Sequence, residues 1–261
     1  VPTSVEPLPG HRLVSVAEEP GLWEPADSLC GGVWPELMHH DPVARRCWVH
    51  LSRDWPAFQL VLVDARGGVA AVAQAGPLCW DGTDEGLPDG WDDQFERCVA
   101  DLEAGRAPDT LGAIQICVAS DRRGRGLSAL MLEAMKRCAV GAGLKAVIAC
   151  VRPTAKDRYP LLSIDDYAAW RRPDGLPFDP WLRVHVRAGG RIVRPSPRSM
   201  TIEGSVAEWR EWTGLEFPAS GPYVAEGAIS PVEIDLSADR GVYFDPNVWV
   251  VHDLAAGSTT P

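Results

Sequence analysis

Three signals follow one another without a spare residue between positions 114 and 139, and together they constrain the fold more than any other stretch of the chain. Ile114, Ile116 and Val118 alternate as one side of a buried strand does. The turn that follows, Ser120-Asp121-Arg122-Arg123-Gly124-Arg125-Gly126, is rich in arginine and glycine. Leu127, Leu130, Met131, Ala134, Met135, Cys138 and Ala139 then recur at the spacing of one helical face. A strand that passes through a tight turn into an amphipathic helix predicts an α/β chain with an anion site at the joint. Glycine at 124 and 126 lets backbone N–H groups reach an anion with no side chain in the way, and the helix start adds the positive end of its dipole. Arg122, Arg123 and Arg125 supply full charges.

Several cofactor loops share this chemistry, and the surroundings separate them. Gly124-x-Gly126-x-x-Ala129 satisfies the dinucleotide pattern G-x-G-x-x-G/A. That fold also needs repeated strand–helix–strand units and an acidic residue about 20 positions on, at the end of the next strand, to hold the ribose. The next predicted strand, Ala146 to Val151, ends instead in Arg152 and Pro153, and a region rich in proline and tryptophan follows. No Gly-Lys-Ser/Thr follows the glycines, which excludes a nucleoside triphosphate loop. Coenzyme A is the pyrophosphate carrier that remains.

Arg123-x-x-Gly126-x-Ser128 resembles the Q/R-x-x-G-x-G/A signature of the GNAT acetyltransferase superfamily, with serine in the last small position. The resemblance implies an α+β fold with a twisted, mostly antiparallel mixed sheet, splayed at the cofactor cleft and covered by helices on both faces. It also implies acetyl-CoA as donor, its pyrophosphate held by the amides of Arg123, Gly124, Arg125, Gly126, Leu127 and Ser128. The pantetheine arm is then expected along the strand edge at Ile116, Cys117 and Val118.

Composition sets the outer bounds. With 261 residues and 46% hydrophobic content, the chain is long enough for one well-buried domain with insertions. It contains no apolar run of about 18 residues and does not open on a secretory leader, which predicts a cytoplasmic location. Seven cysteines without a C-x-x-C pair read as reduced core thiols. A net charge of -11 argues against nucleic acid and membrane surfaces and suits a cationic or neutral small-molecule acceptor. Nine acidic residues between Asp81 and Glu103 face only Arg97; they read as a solvated loop and helix, or as a rim that attracts an amine. An acyl carrier protein and a second copy in a homodimer are the macromolecular partners the reading admits.

Along the chain, residues 1 to 10 form a proline-rich lead and 255 to 261 a small polar tail, both expected to be mobile. Between them, residues 11 to 254 read as a single domain. A strand near Arg12 to Val16, a helical region from about Trp34 to Leu51, and a hairpin of Phe58 to Asp64 with Val69 to Ala75 precede the cofactor strand. Insertions are expected at 77 to 111, with a helix near Trp91 to Glu103, and at 153 to 179. Asp179 and Pro180 open a helix that runs to Ala188 and stops at Gly189-Gly190, and Arg191 to Arg194 follows as a strand. From about residue 196 a C-terminal embellishment is expected. It comprises a helix with the capping box Ser205-x-x-Glu208, ended by Gly214, and a hairpin around Asp239-Arg240-Gly241.

Acetyl transfer to an amine requires a neutral nucleophile and a proton for the departing thiolate. GNAT enzymes commonly assign the latter to a tyrosine four residues before a glycine, in Tyr-x-x-x-Gly-Phe. Aligning Gly189 with that glycine puts His185 in the tyrosine's place. Histidine donates or accepts protons near neutrality; the alternative is a structural histidine. Asp179-Pro180-x-Leu182-x-x-His185 is also similar to GNAT-like domains of polyketide synthase loading modules. Those domains decarboxylate malonyl-type thioesters or acylate a carrier thiol, with a threonine just after the preceding strand, where Thr154 stands. A module that binds coenzyme A without catalysis is the third class. Glu36, Asp165, His185 and water are the candidate general bases. Arg183, Arg187, Arg194 and Arg198 could meet an acidic group, and Trp170, Phe178, Trp181, Trp209 and Trp212 could wall an acceptor pocket. His39, His40 and His50 lack metal-ligand spacing, and no metal is expected.

Overall fold

The computed structural model describes residues 9–254, so the lead and tail expected at the two ends fall, apart from residues 9 and 10, outside the described residues. In chain order the elements are β1 (His11–Ser15), α1 (Trp23–Gly31), α2 (Pro42–Cys47), α3 (Val49–Arg53), β2 (Leu60–Asp64) and β3 (Val69–Leu78). Next come α4 (Trp91–Glu103), β4 (Thr110–Val118), α5 (Leu127–Gly141), β5 (Ala146–Val151), α6 (Ile164–Ala169) and α7 (Pro180–Arg187). The chain closes with β6 (Arg191–Gly204), α8 (Val206–Thr213), β7 (Gly221–Tyr223), β8 (Val232–Asp235) and β9 (Arg240–Asp253). Among the described residues no helix is long and apolar enough to cross a membrane.

All nine strands belong to one sheet, antiparallel except for the parallel pair β4–β5. Both faces of its first half are buried, because successive side chains of a strand point to opposite sides. Leu60 and Leu62 of β2 pack with Met131, Met135 and Ala139 of α5, whereas Val61 and Val63 pack with Ala26 and Cys30 of α1. Leu51, Trp55, Phe95 and Trp249 anchor the largest cluster, on the side of α2, α3 and α4.

Local signals placed most elements, and three differences have plain causes. The single helical region expected over Trp34 to Leu51 is broken, because Asp41 accepts from Ala44 N and Pro42 starts a new helix; a 3-10 turn at Glu36–His40, α2 and α3 replace it. Helix α1 lies upstream of that region, with Pro25 in its first turn. The C-terminal embellishment is the third. Strand β6 continues past residue 196 to Gly204, and β9 is an interior strand of the sheet. One edge of β9 carries β6; the other carries β5 along Val248–Asp253 and β8 along Arg240–Tyr243.

The acidic segment is shorter than expected, since β3 extends to Leu78 and β4 begins at Thr110. It folds inward as a brace. Trp91 Nε1 donates to Ile114 O at 2.9 Å, Gln94 Nε2 to Ala113 O at 2.9 Å, and Trp91 N to Ser199 Oγ at 2.8 Å. Four of its nine acidic residues are in ion pairs: Asp84 with Arg191, Asp93 with Arg97, Asp101 with Arg106 and Glu96 with Arg46. Asp92 accepts from Thr201 N and faces Asp41. Burial, and then the Asp41 charge, push the Asp92 carboxyl up to about 8. Of these acidic side chains none lines the central cleft, which removes the reading of this stretch as an amine-attracting rim.

Candidate active site

Parallel pairing between β4 and β5 covers only Thr110–Ala113 against Ala146–Ala149, and beyond it the strands diverge. A register shift between Gln74 and Ala75 leaves Ile114 without a partner on β3 and bends β4 away at that point. Between the diverging strands lies a cleft of about 1520 Å³, with residues 114–118 of β4 on one wall and 149–151 of β5 on the other. Ile116 and Val118, expected to be buried, are half-buried because they face this opening. The peptide groups of 115–118 on that side have lost their neighbouring strand, so an extended chain can bond to them as a strand would.

At the end of β4 the cleft meets the arginine–glycine turn. Arg123, Gly124, Gly126, Leu127 and Ser128 line it, while Arg125 projects into solvent outside its wall. Gly124 and Gly126 have φ of +76° and +77°, which L side chains rarely adopt. Gly126 caps α5 with no side-chain bond, so the first-turn amides of Leu127, Ser128 and Ala129 remain for an anion. Arg122 instead bonds Asp64 at 2.6 Å and Asp121 at 3.2 Å, a brace that pulls the Asp64 carboxyl down to about 2. The donor set and the open edge fit the pyrophosphate and the amide-bearing arm of coenzyme A.

The floor of the cleft is built by α7 and the turn after β5. Asp179 is 1% exposed. Its Oδ1 accepts from Trp181 N and Leu182 N, and its Oδ2 from Ala155 N at 2.9 Å and Tyr167 Oη at 3.0 Å. One carboxylate therefore ties the helix carrying His185 to the turn carrying Thr154, and both residues line the cleft. His185 is 2% exposed, its Nε2 has no partner, and Trp181 packs against the ring at 4.4 Å. His185 Nδ1 lies 2.9 Å from Nε2 of His252 on β9. Burial, followed by the charges of His252 and Lys136, lowers the His185 pKa to about 3; burial lowers that of His252 to about 4. His252 gives no signal in sequence, being a lone histidine in a run of strand residues.

The cleft is also lined by Trp34, Trp48 and Trp212, together with the carboxylates of Asp27, Glu36, Asp157 and Glu226. Of the aromatic residues expected there, Trp181 and Trp212 line the cleft, whereas Trp209 is fully buried and Trp170 stacks on Phe178 at 3.7 Å away from it. Arg183, Arg187, Arg194 and Arg198 do not reach the cleft. Arg183 bonds the carbonyls of Pro177 and Phe178, Arg194 those of Leu87 and Pro88, and Arg198 covers the Phe244 ring. Glu36 lines the cleft, but Asp165 is exposed on α6 away from it. His40 stacks on Trp212 and His50 bonds Asp54, so the two serve separate contacts. Arg152, under Trp34, is committed to Asp245 and to Gly227 O. Burial pushes the Cys150 thiol up to about 12, and the Cys30 thiol is also raised, by the adjacent Cys117 and by burial. Both stay protonated, so neither offers a thiolate to carry the acyl group.

No protein-family model matches the chain. It is 31% identical over 278 residues to arginine N-acetyltransferase avaD from Aspergillus versicolor, which covers 94% of this chain and 95% of that protein. Solved structures that share its fold include two with a domain of closely similar extent. The loading GNATL domain of CurA from Lyngbya majuscula superposes with a TM-score of 0.57 at 14% identity, covering 94% of this chain and 98% of that one. A GphF GNAT-like decarboxylase in complex with isobutyryl-CoA gives 0.52 at 17% identity, with the same coverage. The splayed sheet, the glycine turn at the head of α5 and the full-length relationship lead to one conclusion: this chain belongs to the GNAT family and is an N-acetyltransferase that takes its acetyl group from acetyl-CoA.

Proposed function

We propose that the protein acetylates a small cationic amine of the arginine type, by direct attack on the thioester and with His185 handling the proton. The observation that carries the acceptor class is the acidic and aromatic lining contributed by Asp27, Glu36, Asp157, Glu226, Trp34 and Trp48 to the cleft that also holds the basic turn. Carboxylates and indole faces are the groups that hold a guanidinium or ammonium. Its full-length relative is an arginine N-acetyltransferase.

Acetyl-CoA supplies an activated carbonyl and a thiolate leaving group. The amides of Arg123 to Ser128 hold the pyrophosphate, and residues Ile116 to Val118 align the arm so that the thioester reaches the floor of the cleft. The attacking amine enters unprotonated, the acceptor's positive charge lying on its guanidinium; as its nitrogen bonds to the carbonyl carbon and the C–S bond breaks, His185 Nε2 takes the surplus proton from nitrogen and returns it to sulfur. Direct attack is favoured over an acyl-enzyme because the buried Cys30 and Cys150 are held as thiols. Thr154 hydrogen-bonds the thioester or acceptor from the turn beside α7. The unbridged cysteines fit a reducing compartment, the cytoplasm.

Purified protein incubated with acetyl-CoA and a panel of L-arginine, agmatine, lysine and a neutral arylamine tests this reading, with free thiol and acetylated product both measured. Turnover of arginine or agmatine well above the neutral amine is expected, and His185→Ala should lower kcat by about 10² to 10⁴. Acetylation confined to the neutral amine, or an undiminished His185→Ala, overturns it. A second reading, decarboxylation of a malonyl-type thioester or S-acyl transfer to an acyl carrier protein, is favoured by Thr154 and His185 lining one cleft. Acetyl-CoA appearing from malonyl-CoA with carrier protein present would support it.

A further inference from the structure

We infer that His252 is a positioning residue for His185: it fixes the proton of His185 on Nδ1 and so presents Nε2 to the cleft as a lone pair, ready to accept from the amine. The inference rests on the reading that His185 handles the transferred proton. His252 lies on β9 opposite Val147 of β5, 1% exposed, and its side chain reaches across to α7.

A contact of 2.9 Å between two ring nitrogens holds one hydrogen. Two neutral rings carry one more, either on His252 Nδ1 or on His185 Nε2. The far side of the pair decides which. Nδ1 of His252 is buried without a hydrogen-bond partner, and the end of α7 closes over the ring: a Cβ on Gly190 would stand 2.6 Å from His252 Cε1, and the neighbouring backbone of Ala188 acts in the sense that favours a ring proton. The Ala188 N–H is already donated within α7, to the carbonyls of Val184 and Val186, so the group left to meet His252 is the Ala188 carbonyl, an acceptor. That carbonyl takes Lys136 Nζ at 2.8 Å and has a second lone pair. With Nε2 of His252 engaged by His185, the proton that Ala188 favours sits on Nδ1. His252 Nε2 is then an acceptor, His185 Nδ1 the donor to it, and His185 Nε2 is bare.

Both rings stay neutral across the working pH range, so the pair keeps this order without titrating. The charged and titratable groups that bear on it are Lys136 and Glu133 of α5, Asp253 of β9, and the two histidines themselves. In the reaction His185 Nε2 gains the amine proton as the N–C bond forms and releases it to sulfur as the C–S bond breaks; His252 keeps its proton throughout. Trp181 holds the ring against rotation. A histidine in the wrong tautomer can lose up to about 10⁴ in rate.

Nitrogen-15 shifts of the imidazoles in the intact protein read the tautomer without relying on activity or on a variant. A pyrrole-type Nδ1 and pyridine-type Nε2 for His185 are expected, and the reverse assignment overturns the inference. In kinetics, His252→Leu should lower kcat by about 10²-fold or more while KM for acetyl-CoA stays within twofold. His252→Gln should recover most of the loss, because its amide oxygen accepts from Nδ1 and its NH₂ can face Ala188. If His185→Ala is inactive but His252→Leu keeps wild-type kcat, the positioning role fails and the role of His185 stands. If His185→Ala is itself undiminished, both fail.

Discussion

Replacing Asp179 by alanine tests how the two candidate catalytic elements are held. The side chain accepts four hydrogen bonds while 1% exposed: two amides at the start of α7, one amide of the turn after Thr154, and the Tyr167 hydroxyl. Loss of an N-cap costs about 1 kcal/mol. Each further bond to a buried charged acceptor contributes about 1.5 kcal/mol at the low end. Asp179→Ala should therefore lose about 4 kcal/mol, a large part of the stability of a typical domain. At about 2 to 4 °C per kcal/mol for a chain of this size, Tm should fall by roughly 10 °C. Asp179→Asn keeps the Oδ1 cap, and its NH₂ can donate to the Tyr167 hydroxyl, so the bond from Ala155 N is the one lost and roughly half that loss is expected. Urea unfolding followed by tryptophan fluorescence gives the stability change, and steady-state kinetics give its consequence. Turnover should fall in both variants while KM for acetyl-CoA holds, since the cofactor turn is not attached to this knot. A loss under 1 kcal/mol for alanine, or equal losses for the two variants, would refute the argument.

The buried acids and histidines give stability a particular pH dependence. Above about pH 7 the histidines are mostly neutral in both folded and unfolded chains, whereas folded Asp92 keeps a proton up to about 8 that the unfolded chain has released near 4. The folded state binds more protons in that window, so stability falls as pH rises from about 7 to 8, by about 1 kcal/mol. Asp92→Asn should flatten the slope, as seen in urea midpoints at the two pH values, and an unchanged slope would exclude this source. Gly126→Ala forces a left-handed residue at the head of α5, costing about 1 to 2 kcal/mol. It should raise KM for acetyl-CoA several-fold with less effect on the acceptor's KM; calorimetric titration with coenzyme A checks it.

Local chemistry made much of this architecture legible in the sequence. The bounds Trp91–Glu103 and Ala146–Val151, the Asp179-Pro180 helix start and the Ser205/Glu208 capping box each follow from residues within a few positions of one another. The arginine–glycine turn was legible for the same reason, because strand, glycines and helix are contiguous. Long-range pairing was not. Nothing in Val248 to Asp253 distinguishes an interior strand from an appended hairpin until β5 and β6 are seen on its two edges. His252 was hidden with it, since its meaning depends on a helix 67 positions earlier in the chain. Arg183 and Arg194 could not be placed from spacing, because a carbonyl partner in a neighbouring loop leaves no trace there.

The position of β9 also has a kinetic consequence. Its pairing with β5 joins residues about a hundred positions apart, and β5 has no neighbour on that edge until β9 arrives. The cofactor half of the sheet can therefore collapse around α5 while one long strand edge still lacks its partner, a state open to pairing with other chains. Contacts of such high separation in sequence form slowly. Refolding is thus expected to be limited by capture of the last strand, and yield on dilution from denaturant should fall steeply with protein concentration. The strand that delivers His252 against His185 is then the same one whose docking completes the sheet, so under the role proposed for His185 the proton-transfer site is completed last.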